Sequence, residues 1–209
     1  PPTTLPPAAI PPPPATRRTL LICALLTLFT AVAYFGVRHN DFFEFDDSTY
    51  IFQNINVQNG LTLDGVRWAF TSGYASNWHP LTWISHMLDC RLFGMNPGRH
   101  HLVSLGIHIA NAILLFVVLQ KMTGATWPSA FVAAVFALHP IGVESVAWAA
   151  ERKNVLSTFF WMLTLLAYFR YASNPSTQNY AMVAACLALG LMSKPMLVTL
   201  PLTLLLLDF

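Results

Sequence analysis

The sequence predicts an all-α, polytopic membrane protein with short amphipathic surface helices in a large first external loop. Three observations carry this reading. Hydrophobic residues make up 55% of the 209 residues and charged residues only 10%, against about 25% charged in a soluble domain. The apolar residues cluster in runs, and the first run is long enough to cross roughly 30 Å of hydrocarbon. The long polar stretch 38–100 carries two pieces of helical periodicity, each with one apolar face.

The elements follow in order. Residues 1–14 are rich in Pro and have no core-forming pattern, so 1–18 reads as a disordered or polyproline-like tail. Arg17-Arg18 precedes 19-TLLICALLTLFTAVAYFGV-37, about 19 uncharged residues and sufficient for a span. A cleavable signal peptide would have a shorter apolar core and an A-x-A-like site, so a retained anchor is the better reading. Residues 19–209 then form one multi-span membrane domain. The chain begins with Pro and stops at the end of an apolar run, which reads as a piece of a longer protein.

Within the first loop, 63-LDGVRWAF-70 places Leu63, Val66 and Phe70 on one helical face. In 80-PLTWISHMLDCRLFG-94, Leu81, Ile84, Leu88 and Leu92 share a face, while His86, Asp89 and Arg91 fall off it. Both read as short helices at the membrane surface. Further apolar runs occupy 102–120, 127–139, 155–171, 181–193 and 195–209. With Pro195 as a break, the expected count is about six membrane segments.

The net charge of +2, without a basic patch interleaved with aromatics, excludes a nucleic-acid partner. The three cysteines form no metal or redox pattern. Six crossings place most charges, acidic and basic, on the side opposite the N-terminal tail, and Arg17-Arg18 favours a cytoplasmic N-terminus.

The polar residues beside the apolar runs are the candidates for function. His101, Ser104, His108 and Asn111 recur at i, i+3, i+7 and i+10 in 101-HLVSLGIHIANAILLF-116. Such a stripe must face protein or water rather than lipid, where it serves helix-to-helix hydrogen bonding or chemistry. In 139-HPIGVESVAWAAERKN-154, a helix begun by Pro140 places Glu144, Trp148, Glu151 and Arg152 on one side; an interfacial helix is the competing reading. Lys194 lies between two apolar runs with no acid nearby in sequence. It either snorkels to the interface or binds an anion. In 41-DFFEFDDSTYIFQN-54, Asp46 and Asp47 stand among aromatic residues.

The blocks 46-DD-47, 79-HPLTWISHML-88, 100-HHLVSLGIHIANAILL-115, 136-FALHPIGVESVAWAAERKNVLSTFF-160 and 191-LMSKPMLVTLPLTLLLLDF-209 together resemble the membrane part of transmembrane and tetratricopeptide-repeat proteins. These are polytopic glycosyltransferases of the GT-C type, related in design to protein O-mannosyltransferases. The resemblance covers most of 40–209. It implies sugar transfer from a polyprenyl-phosphate donor to a protein or other acceptor hydroxyl on the lumenal or periplasmic face. It also implies an acidic pair in the first external loop and a tetratricopeptide-repeat region further on. Eukaryotic members tend to carry an acid directly after the lysine, where this chain has Pro195.

Transfer from a lipid phosphate needs a base for the acceptor hydroxyl, cations for the departing phosphate and a greasy groove for the polyprenyl chain. Inversion needs a single base and no covalent intermediate. Asp46 or Asp47 can be that base, and neighbouring Phe residues would raise its basicity by desolvation. His139, Arg152 and Lys194 could neutralise the phosphate, with His79, His101 and Glu144 as acceptor-side or supporting groups. The carboxylates could hold a divalent ion, but no ligand spacing is diagnostic, so no cofactor is assigned. A lipid or solute transporter, or flippase, stays open because intramembrane His and Asn also mark translocation paths. A non-catalytic anchor for a repeat scaffold stays open too. The discriminator is whether the paired acids and the cations converge in space.

Overall fold

A computed structural model describes residues 16–208; the Pro-rich stretch 1–15 lies outside the described residues. Helix α1, Thr16–Tyr34, carries Arg17 and Arg18 in its first turn and continues into a 3-10 turn, Phe35–His39. The first loop holds α2 (Ile55–Gln58), α3 (Leu63–Thr71) and α4 (Pro80–Phe93). The bundle continues with α5 (Pro97–Thr123), α6 (Thr126–Leu138), the short α7 (Val143–Ala147), α8 (Arg152–Ser173), α9 (Thr177–Leu191) and α10 (Leu200–Leu207).

Local sequence explains the boundaries. Asn96 caps α5 by accepting from Arg99 N at 3.1 Å, and Pro97 opens the helix. Gly124, at φ 69°, closes it in the left-handed conformation. Gly98 lies so close to the Arg38 carbonyl that a Cβ there would collide with it, and this lets α5 press against the end of the first span. Pro140 breaks α6 from the segment Pro140–Ala147, and the two meet at 51°.

Among the described residues, three helices are long and apolar enough to cross a membrane: Arg17–His39, Pro97–Thr123 and Ala149–Ser173. Counting the bent pair as one span makes four. Among the described residues that is three or four spans by length and composition, against the expected six segments. Helix α9 has 15 residues, about 22 Å at 1.5 Å per residue, short of the roughly 30 Å needed. The apolar segment Pro195–Leu207 is shorter still.

The surface helices have the opposite sidedness from a helix on a soluble core. Leu88 and Leu92 on α4 are exposed, as are Leu63 and Phe70 on α3, whereas Trp83, His86, Met87 and Asp89 are buried. The apolar stripe thus faces outward, where lipid can cover it. The polar face turns into the protein. An aromatic and aliphatic core under these helices joins Tyr50, Ile51, Val57, Trp83 and Met87 to Ala149 and Ala150. It anchors the first loop to the segment that leads into α8.

Helix α5 is the bundle's spine. It touches α1, α6 and α8, and its polar stripe of His101, Ser104, His108 and Asn111 is buried throughout. Asn111 Nδ2 donates to Val155 O of α8 at 2.8 Å, and His108 Nε2 lies 3.1 Å from Ala137 O of α6. These are helix-to-helix bonds, the bland alternative offered by the sequence.

Candidate functional site

The chain crosses back and forth through short turns, so 39–47, the start of α4, 139–154 and 192–199 collect at one end of the bundle. The turn after α9 is fastened there by α4: Thr82 Oγ1 donates to Ser193 O at 2.9 Å, and Leu81 N donates to Met192 O at 3.1 Å. Lys194 follows directly. Its Nζ bonds Asn154 Oδ1 near the start of α8. Asn154 Nδ2 in turn donates to Glu151 Oε2 at 2.5 Å and to Ser145 Oγ at 3.3 Å. Glu151 pairs with Lys153 at 2.7 Å. Lys153 Nζ lies 4.8 Å from the centre of the Tyr50 ring, which stacks on His79 with centroids 5.5 Å apart. Lys194, Asn154, Glu151, Lys153, Tyr50 and His79 thus form a continuous, partly exposed polar chain.

Two clefts border this chain. One of about 340 Å³ is lined by Lys194 and Asn154, together with Trp161, Met196 and Leu197. The other, about 350 Å³, is lined by Asn154, Ser145, His139, His108 and Phe136 among others. Both share Asn154 and Thr158, so they adjoin. A third, almost wholly apolar cleft of about 430 Å³ lies between Phe43, Phe45, Ala147 and Trp148, with Glu144 at its edge.

The paired acids separate sharply. Asp47 is buried: Oδ1 accepts from Ala150 N at 2.6 Å and Oδ2 from Phe43 N at 2.9 Å. Burial pushes its carboxyl up, while the two backbone donors and the neighbouring His101 oppose the shift. Asp47 therefore staples the 41–47 loop to the segment before α8. Asp46 is half-buried, with neither carboxylate oxygen in a hydrogen bond among the described residues. The Tyr50 hydroxyl, pushed up chiefly by burial, feels Lys153, Asp46 and Glu151 together, so Asp46 shares the field of the polar chain.

Arg152 is placed differently from its sequence assignment. It is completely buried. Nε donates to Ser104 Oγ at 2.7 Å, Nη1 to Ser85 Oγ at 2.9 Å, and Nη2 to Asp89 Oδ2 at 2.7 Å and His100 O at 2.6 Å. A guanidinium so enclosed ties α4, α5 and α8 together and presents no free face to a phosphate. Its neighbour Lys153 faces the open chain instead.

The remaining sequence candidates fall around the same end. His139 is exposed and accepts from Ile141 N at 3.2 Å through Nδ1, lining the cleft beside Asn154. His101 is buried beneath the 41–47 loop, with Nε2 3.4 Å from Asp41 O. His79 is buried against Tyr50 and Trp83, and burial lowers its pKa to about 4, so it is neutral near pH 7. Asn154, Lys153 and Tyr50 were not singled out in sequence. Asn154 carries a weak signal, a carboxamide between the charged run 151-ERK-153 and the apolar start of a span.

The fold and this polar end define a polytopic membrane protein with many of its ionisable residues gathered at one boundary of the bundle. Residues 81–209 match the family described as Dolichyl-phosphate-mannose-protein mannosyltransferase, and the chain belongs to that family. It is similar to protein O-mannosyl-transferase TMTC2 of Homo sapiens, 31% identical over 110 residues, covering 53% of this chain and 13% of that protein. It is also similar to protein O-mannosyl-transferase TMTC1 of Homo sapiens, 34% identical over 140 residues, covering 61% of this chain and 16% of that protein. For protein O-mannosyl-transferase Tmtc1 of Drosophila melanogaster the identity is 31% over 103 residues, covering 49% of this chain and 12% of that protein. The matched segments are thus a small part of these relatives' own length. No solved structure matches the chain.

Proposed function

We propose that this chain carries the catalytic end of a membrane glycosyltransferase moving mannose from a polyprenyl-phosphate donor to a hydroxyl of a protein acceptor, on the periplasmic or lumenal face. The observation that carries the reading is the convergence of an acid-bearing first loop, the 149–154 segment and Lys194 at one end of the bundle, beside two adjoining clefts.

The roles follow from exposure and bonding. Asp46 has the freer carboxylate and acts as the base. The acceptor hydroxyl oxygen attacks the anomeric carbon, its proton passes to Asp46, and the bond from that carbon to the phosphate oxygen breaks with inversion. Asp47 holds the loop in register and positions Asp46 without itself meeting the acceptor. Lys194 and Lys153, with the Asn154 amide, stabilise the departing phosphate through charge-assisted bonds. Trp161, Met196 and Leu197 offer apolar walls to the first isoprene units. His139 borders the same region, and Glu144, at the rim of the aromatic cleft, faces the acceptor side.

Transport is the less supported reading. The polar side chains that go deeper into the bundle, His108 and Asn111, each bond a backbone carbonyl of a neighbouring helix, which suits packing better than a translocation path. The test is transfer of labelled mannose from polyprenyl-phosphate mannose to a Ser/Thr-containing acceptor by membranes bearing the full-length protein. Asp46→Asn should abolish transfer while insertion stays intact. Undiminished transfer by that variant would remove the base assignment.

A further inference from the structure

Helices α4 and α5 bring three potential ligands together away from the clefts. His86 and Asp89 are three residues apart on α4 and share its inward face. His100 comes from the first turn of α5. One ligand atom from each lies within 4.8 Å of the others, and all three residues are buried.

The hydrogen-bond pattern sets His86 apart from the other described histidines. Both ring nitrogens of His86 are buried without a partner, as is Nδ1 of His100. His100 Nε2 lies 3.0 Å from Gly94 O and must donate to that carbonyl. In a neutral ring this leaves a lone pair on Nδ1, which faces Asp89 Oδ2 at 3.7 Å. A lone pair facing a carboxylate in a dry interior is repulsive. Leaving several ring nitrogens unpaired costs about 1–3 kcal/mol each. A cation held between the rings and the carboxylate answers both problems. The backbone bond from His100 Nε2 is also the kind of outer contact that fixes the tautomer of a ligating histidine.

We infer that His86, Asp89 and His100 form a three-ligand binding site for a divalent transition metal of the zinc type, with one water completing the tetrahedron. Two imidazoles and one carboxylate suit zinc, whereas magnesium and calcium need more oxygen ligands. Arg152 holds Asp89 Oδ2 and adds positive charge nearby. That charge opposes any cation, so the ion would be held chiefly by the two ring nitrogens and the remaining Asp89 oxygen. Zinc–ligand bonds of about 2.0–2.2 Å require the ligand atoms to draw closer than their present spread, through small side-chain rotations. The ion would lock the surface helix α4 onto α5 beneath the Arg152 network. The site is independent of the transfer reaction proposed above.

The experiment uses full-length protein purified without a polyhistidine tag and incubated with zinc, then freed of loose ion by gel filtration. Elemental analysis should find about one zinc per chain. His86→Gln and His100→Gln should each lower the retained zinc at least about fivefold, and a chelator should lower the unfolding temperature of the wild type. As a check that needs no variant, cobalt replacing zinc in the wild type should give the intense visible bands of a tetrahedral site. Wild-type protein that retains well under one metal per chain and shows no such bands overturns the site. So does a His86→Gln variant that keeps its full metal content.

Discussion

Two cationic centres lie at the same end of this bundle and have little else in common. Arg152 is sealed, with its guanidinium bonded to Asp89, two serines and a backbone carbonyl. Lys194 and Lys153 belong to an open chain that runs through Asn154 and Glu151 along two clefts. Arg152 and Lys153 are adjacent in sequence and carry the same charge, yet one holds the scaffold and the other faces the site. Charge alone therefore does not mark a phosphate ligand. What differs is access: Lys194 and Lys153 each keep a side-chain partner, Asn154 Oδ1 and Glu151, yet stay partly exposed, whereas Arg152 is enclosed on every side.

The acidic pair repeats the contrast and gives the largest expected effect. Asp46→Asn should lower the turnover number by about 10²–10⁴-fold, the usual worth of a general base, with the unfolding temperature almost unchanged. Asp47→Ala should instead destabilise the protein, because it strands the Phe43 and Ala150 amides, each worth about 1–3 kcal/mol. Transfer kinetics together with thermal unfolding separate the two; the reverse pattern would exchange their roles.

Breaking the sealed centre comes next. Arg152→Met should cost about 3–5 kcal/mol by taking the guanidinium from the buried Asp89 carboxylate, and Arg152→Lys should cost less because a charge can still reach Asp89. Denaturant unfolding in detergent checks both. Lys194→Gln should raise the donor KM by about 10–100-fold, corresponding to roughly 1.5–3 kcal/mol for a charged hydrogen bond, with little change in unfolding. An Arg at 194 should restore part of the affinity. A stability loss as large as that of Arg152→Met would make Lys194 part of the scaffold.

The smallest effect is on pH. His79 faces Tyr50, Trp83 and Lys153, and its folded pKa, about 4, lies below its ordinary value near 6.5. Protonation therefore favours the unfolded chain. Stability is retained above about pH 6.5 and falls as the pH drops from there toward 4. Burial lowers His86 in the same direction, so the His79 share is read as wild type minus His79→Gln. Unfolding temperatures measured from pH 7 to 4 should show a shallower decline in the variant.

Much of this was legible in the sequence, and the failures have physical causes. Helical class, the first span and the inward stripe from His101 to Asn111 followed from hydropathy and the 3.6-residue period. The two faces of α4 were legible as faces. Placing His86 and Asp89 inside needed the recognition that lipid takes the apolar side and protein takes the polar side. Hydropathy alone did not separate the long helices from α9, which is apolar but has 15 residues. The choice between Arg152 and Lys153 was not legible: adjacent residues on a helix point about 100° apart, and only the position of Asp89 on another helix decides which one turns inward. The bond from Asn154 to Lys194 spans 40 residues and leaves no local trace.

The claim that the open chain is where the donor phosphate sits can be measured on the lysines. The chain has three, Lys121, Lys153 and Lys194, and Lys121 lies in the last turn of α5, at the opposite end of that helix. Amine acylation of the full-length protein in nanodiscs, read by mass spectrometry with and without polyprenyl-phosphate mannose, compares them directly. The account predicts that the donor protects Lys153 and Lys194 and leaves Lys121 unchanged. Equal labelling of all three with and without donor would contradict it.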